Sequence, residues 1–92
     1  MIRSFACRDT ERLFRIGDAG RFGAVAKVAL RKLAQVHAAT SILDLRAPPG
    51  NRLELLRADR AGQYSIRVND RWRICFHFEG GDAHDVEIVD YH

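Results

Sequence analysis

At 92 residues the chain has room for one domain, and a domain of this size buries only ~60–65% of the surface its unfolded chain exposes. With 47% hydrophobic and 29% charged residues it reads as globular rather than disordered, and no apolar run approaches the ~20 residues of a membrane span. The opening Met1-Ile2-Arg3-Ser4-Phe5-Ala6-Cys7 lacks the apolar stretch of a signal peptide, and Cys7 and Cys75 make no disulfide framework, so a cytoplasmic protein with reduced thiols is expected.

The formal net charge of +3 is unevenly spread. Residues 1–45 and 46–78 each carry +4, whereas residues 79–92 hold five acids and no Lys or Arg. Thirteen of the fifteen basic residues are Arg. That bias suits phosphate recognition, because a guanidinium is a planar fork, but a GC-rich genome produces the same bias.

Along the chain, Ile2 to Ala6 suits a short strand. Asp9 or Thr10 can cap a helix running to Ile16, with Leu13 and Phe14 buried, Arg8, Arg12 and Arg15 on a solvated side, and Gly17 as the stop. Phe22, Val25, Ala26, Ala29, Leu33 and Val36 form one apolar stripe, predicting a helix over 22–37 with Lys27, Arg31 and Gln35 opposite and His37 on the surface near its C-terminal end. Residues 40–51 read as the one real loop, ended by Pro48-Pro49-Gly50. Beyond it the period changes to two. Strands are predicted over 53–56, 64–68, 72–78 and 83–91, with a polar connection at 57–62 and a turn at 79–82. The order β-α-α-β-β-β-β is an α+β fold, a helical hairpin on a mainly antiparallel sheet, in a single domain spanning 1–92.

Strand parity places the arginines. Ile66 and Val68 must share a face with Trp72, Ile74 and Phe76, and a three-residue loop, Asn69-Asp70-Arg71, achieves this, as does a five-residue one. The shorter loop commonly ends in a left-handed residue, an uncomfortable role for Arg71. Arg67 then lies opposite Arg73 on the face away from the helices, a like-charge pair that destabilises a sheet unless an internal acid such as Glu54, or a bound anion, sits between them. On these grounds removing Arg73 is not expected to lower stability. Cys75 and His77 continue that face, as do Val89 and Tyr91 where the last strand pairs in matching parity. Arginines to hold phosphate, with Asp90, Tyr91 and His92 to orient and move protons, are the inventory of a metal-independent nuclease. No His/Asp/Glu/Cys spacing suits a metal ligand set, and no cofactor is expected. His77 and His84 read as solvated strand residues.

The run Asp59 to Phe76, the later Gly81-Asp82-Ala83 and Asp85-Val86-Glu87-Ile88, and the closing Asp90-Tyr91-His92 resemble the HigB toxins of the RelE/ParE superfamily. Met1-Ile2-Arg3-Ser4-Phe5 and Arg12-Leu13-Phe14 fit the same pattern. The resemblance implies a RelE-like fold and a toxin–antitoxin toxin that cuts messenger RNA in the ribosomal A site, a metal-independent endoribonuclease (mRNA interferase). Its partners would be the ribosome, the message and a cognate helix-turn-helix antitoxin similar to HigA. The family's catalytic positions fall on Arg57, Arg73, Asp90, Tyr91 and His92, with Arg67 in a shared Ser-Ile-Arg-Val run. Arg71 and Arg60 would add phosphate contacts. Position 57 is more often Lys and position 58 more often Gly in that family, position 71 is usually uncharged, and some members carry His where this chain has Glu54. Two other readings share the arginines: a ParE-like poison of DNA gyrase, and a basic module that binds ribosomal or other RNA without cutting it.

Overall fold

The computed structural model describes residues 1–90. Its elements are α1 (Arg8–Ile16), α2 (Ala26–Ala38), β1 (Glu54–Leu55), β2 (Tyr64–Arg67), β3 (Trp72–Glu79) and β4 (Asp82–Asp90), with 3-10 turns between them. The four strands form one antiparallel sheet in the order β1-β2-β3-β4. Both helices lie on one face, where Leu13, Ala29, Leu33 and Val36 pack against Ile66, Ile74, Phe76, Val86 and Ile88. Each large side chain so buried contributes roughly 1.5–3 kcal/mol. No helix among the described residues is long and apolar enough to cross a membrane.

The opening segment forms no regular strand. It runs parallel along the outer edge of β4 through two isolated bridges, Ile2 with Ala83 and Phe5 with Val86. That covers the edge only as far as Ala6, whose N–H bonds the Val86 carbonyl at 3.0 Å. The next outward-pointing amide, that of Ile88, donates instead to the Thr10 hydroxyl at 3.0 Å. Thr10 is therefore fully buried inside α1 rather than capping it, and the helix starts earlier than expected, with extended Cys7 preceding Arg8. Gly17 ends it as predicted, in a left-handed conformation at φ 72° that lets its N–H reach the Leu13 carbonyl.

The second helix is shorter than its apolar stripe. Gly23 at φ 48°, ψ −118° breaks the run, so residues 20–25 form a 3-10 turn and α2 begins at Ala26. His37 is not a surface residue: its Nδ1 accepts the Ile2 N–H at 3.1 Å and its ring leans on Phe14 at 5.3 Å, pinning the opening segment to α2. Residues 40–51 are also more ordered than a loop. Ser41 and Asp44 form a capping box on the 3-10 turn Ile42–Arg46, and the Thr40 and Ser41 amides hold the Asp44 carboxyl below the usual carboxylate range. Fully buried Asn51 accepts from the Lys32 ammonium at 2.6 Å and donates to Gln35 and the Leu45 and Ala47 carbonyls. This brings Gln35 in from the solvated side, and burial beside Asn51 lowers the Lys32 pKa.

The β2–β3 register is the one parity predicts: Ile66 opposite Ile74 and Arg67 opposite Arg73. Arg71 is not left-handed, since among the described non-glycine residues only Arg52, Ala58 and Asp85 have positive φ. Instead the Asn69 side chain accepts the N–H groups of Arg71 and Trp72, at 2.9 and 2.8 Å, and shapes the loop without strain. On β4 a bulge interrupts the pairing between Cys75 and His77. Asp85, at φ 54°, is the extra residue, its N–H bonded to the Ser4 hydroxyl. It restores Ala83 to the core face that Val86 and Ile88 occupy.

A candidate phosphate-binding face

The face of the sheet away from the helices carries Glu54 of β1, Ser65 and Arg67 of β2, Arg73 and Cys75 of β3, and Glu87 and Val89 of β4. The like-charge pair is resolved by giving each arginine its own acid. Arg67 pairs with Asp70 in the hairpin loop. Arg73 lies 3.4 Å from Glu54 and is only 8% exposed. Its Nε donates to the buried Ser65 hydroxyl at 2.8 Å and its Nη2 to the Arg52 carbonyl at 2.7 Å. Arg73 is thus a fixed guanidinium built into the sheet, contrary to the expectation that its removal leaves stability untouched.

Ser65 and Arg52 were not singled out by the sequence. Ser65 pairs with Cys75, so it is the diagonal neighbour of Arg73 on the same face, a position parity alone identifies. Arg52 carried no such signal, because its part is played by a backbone carbonyl next to a left-handed turn.

Farther along the same face, Arg60 binds Glu87 at 2.9 Å and Gln63 at 3.0 Å. Cys75 lies fully buried between these groups. Burial pushes its thiol up, against the pull of Arg60 and Arg73 and with the help of Glu87. Arg57 is exposed in the connection between β1 and β2 and has no ion-pair partner among the described residues. Ala58 follows at φ 56°, a conformation natural to glycine and strained for alanine. His77 and His84, both half-buried, face each other across β3 and β4.

The hairpin end holds the remaining candidates. Asp90 pairs in register with Trp72 and so shares its face, the helix side, rather than that of Arg73. Its carboxylate accepts from Arg71 Nε at 2.9 Å and Nη2 at 2.7 Å, which holds the Arg71 guanidinium still more firmly protonated. Arg67 and Arg73 are therefore brought together on the outer face, Arg71 and Asp90 are brought together at the hairpin end with Asp90 on the helix side, and Arg57 stands apart in its turn. The candidates Tyr91 and His92 lie outside the described residues. The described residues contain no group of three or more His, Cys, Asp or Glu able to hold a metal ion.

Residues 3–92 match the HigB-like toxins, the RelE-like toxins of type II toxin–antitoxin systems. The chain belongs to this family. Endoribonuclease HigB of Proteus vulgaris is 36% identical over an alignment of 95 positions that covers all of both chains. Toxin HigB-1 of Vibrio cholerae is 47% identical over 53 residues, 58% of this chain. The chain spans 56% of that Vibrio protein and 61% of a Haemophilus influenzae relative. Among solved structures, a chain of the YoeB–YefM complex from Staphylococcus aureus superposes with a TM-score of 0.62, covering 100% of this chain and 95% of that one. At 16% identity that likeness shows the shared RelE-like fold alone. The family and the α+β fold are those its residues led us to expect.

Proposed function

We propose that this HigB-like toxin is an endoribonuclease that cuts messenger RNA as it is translated, in the ribosomal A site and without a metal. The observation that carries the reading is Arg67 lying directly across from a buried, hydrogen-bonded Arg73 on the outer face of the sheet. A guanidinium fixed before substrate arrives needs no reorganisation when charge develops on a phosphate, and one such contact is worth roughly 3–4 kcal/mol in a transition state. Cleavage by the neighbouring 2′-hydroxyl requires that hydroxyl to lose a proton, the phosphorane charge to be stabilised and the 5′-oxygen to gain a proton. In this reading Arg73 and Arg57 clamp the phosphate and Arg67 and Arg60 support them. His92 transfers protons, since an ordinary imidazole titrates near ~6.5. Tyr91 stacks on a base or hydrogen-bonds the phosphate.

Family membership and the Proteus vulgaris relative support the same activity. The partners that go with it are a ribosome, a message and a helix-turn-helix antitoxin similar to HigA, and the compartment is the cytoplasm. The test is a translation reaction with a reporter message and mapping of the RNA ends. Breaks at codons are expected with the wild-type protein and none with His92→Gln. Intact message with arrested translation would replace the nuclease by a binding module, and altered DNA supercoiling would replace it by a gyrase poison.

A further inference from the structure

We infer that Ser65 is a positioning residue, acting through Arg73 to set how that guanidinium meets a phosphate. This rests on the nuclease reading above. Among the described residues five polar or charged side chains are buried. Thr10 holds the Ile88 amide, and Lys32 and Asn51 hold each other. The other two are Ser65 and Arg73, bonded through Oγ and Nε at 2.8 Å. Ser65 is 0% exposed, so it touches no substrate itself and acts on the outer face only through the arginine.

Two costs converge on this bond. A buried guanidinium is expensive, and apolar residues of similar volume in such a place are commonly no less stable, so the fold alone does not call for one. Arg52 presents its carbonyl to Nη2, at 2.7 Å, from a left-handed conformation at φ 44° that a non-glycine residue adopts at a cost. The ion pair with Glu54 is longer, 3.4 Å, and reaches an exposed carboxylate. The tighter contacts are thus to neutral oxygens: the Ser65 hydroxyl on Nε and the Arg52 carbonyl on Nη2, with the Ser65 carbonyl at 3.5 Å. Neutral acceptors orient a cation without neutralising its charge, which suits an anion arriving beside Arg67. The two carbonyls are backbone and present with any residue at those positions. The hydroxyl is the contact that the choice of serine supplies. A displacement of about 1 Å in a positioned group can cost ~10²-fold in rate.

The test compares the wild type with Ser65→Ala, which removes the acceptor, with Ser65→Thr, which keeps it, and with Ser65→Ala combined with Arg73→Ala. Urea midpoints fix the folded fraction, and kcat and KM for cleavage of a translated message are expressed per folded molecule. Exchange of the Arg73 Nε–H and its shift on adding inorganic phosphate are followed by NMR. Ser65→Ala is expected to speed that exchange and to lower kcat roughly 10–100-fold with KM little changed, while Ser65→Thr keeps most of both. The double variant should be no slower than Arg73→Ala alone. A lowered urea midpoint with kcat per folded molecule unchanged would make Ser65 merely structural and overturn the inference, as would losses that add in the double variant. If the wild-type protein cuts nothing, the nuclease reading fails, and the phosphate titration then decides. A weaker shift at Arg73 in Ser65→Ala keeps the positioning role, and equal shifts, or none in any variant, remove it.

Discussion

Arg73 is at once an anchor of the sheet and the proposed phosphate ligand, and substitution separates the two roles. Arg73→Ala strips the buried Ser65 hydroxyl and the Arg52 carbonyl of their donor, which costs roughly 1–3 kcal/mol and is read as a lowered urea midpoint. Arg73→Lys restores one of those contacts and a charge but not the fork, so it should regain more stability than cleavage. Ala58→Gly is expected to move stability the other way. Alanine at φ 56° carries steric strain that glycine relieves, net of glycine's looser unfolded state, for a gain of about 1 kcal/mol. The Arg67–Arg73 pairing could be read from the sequence because alternation fixes which residues share a face. The partners of Arg73 could be read only in part. Glu54 is an acid on the same face two strands away, whereas a carbonyl at position 52 has no side-chain signature.

At the scale of elements, the seam between α1 and β4 depends on one hydroxyl. Thr10→Val keeps shape and volume but leaves the Ile88 N–H buried without an acceptor, at a cost of roughly 1–3 kcal/mol, and its effect is a lowered unfolding midpoint with faster hydrogen exchange at Ile88. The other end of that edge is sensitive to acid. Arg3 lies 3.2 Å from Asp82 and holds its carboxyl below the ordinary carboxylate range. A carboxylate whose pKa is lowered by folding contributes stability above its unfolded pKa and loses it as pH falls through the folded value. Acidification below about pH 4 should therefore release the opening segment, with faster exchange of the Arg3 amide that bonds Ala83. Asp82→Asn should flatten that dependence. Helix stops and strand alternation were legible here because Gly17 and the period-two runs act locally. The break at Gly23 and the bulge at Asp85 were not. An apolar stripe passes through the first unchanged, and the second is imposed by the need to keep Ala83 inward while Asp85 meets Ser4.

For the whole molecule, the charge asymmetry sets how it should find RNA. Residues 1–78 carry a net +8, yet part of that charge is already spent on acids of residues 79–92, as in Arg3 with Asp82, Arg60 with Glu87 and Arg71 with Asp90. The remaining basic groups suit loose association with a large phosphate surface better than grip on a single strand. Association with ribosomes should weaken steeply with salt, in proportion to the phosphates contacted, as sedimentation at two ionic strengths would read. Cleavage of the same message should be slow without ribosomes. The described residues offer one small candidate anion face, and in the proposed reading positioning that supplies ~7–11 kcal/mol of a barrier has to come from a larger scaffold. Equal, fast cutting of free message would remove the ribosome from the mechanism.

The two cysteines make the molecule its own folding gauge. Burial pushes the Cys7 thiol up, but hydrogen bonds from Thr10 and Arg21 outweigh it and leave the thiol below its ordinary value on a half-exposed site. Cys75 is fully buried on the outer face of the sheet with its thiol raised. A thiol reagent at neutral pH should thus label Cys7 in the native protein and reach Cys75 only when the sheet opens. With Cys7 blocked first, the rate of Cys75 labelling counts the opened molecules directly. A destabilising variant could then be ranked in dilute solution without denaturant, by counting tags on one atom.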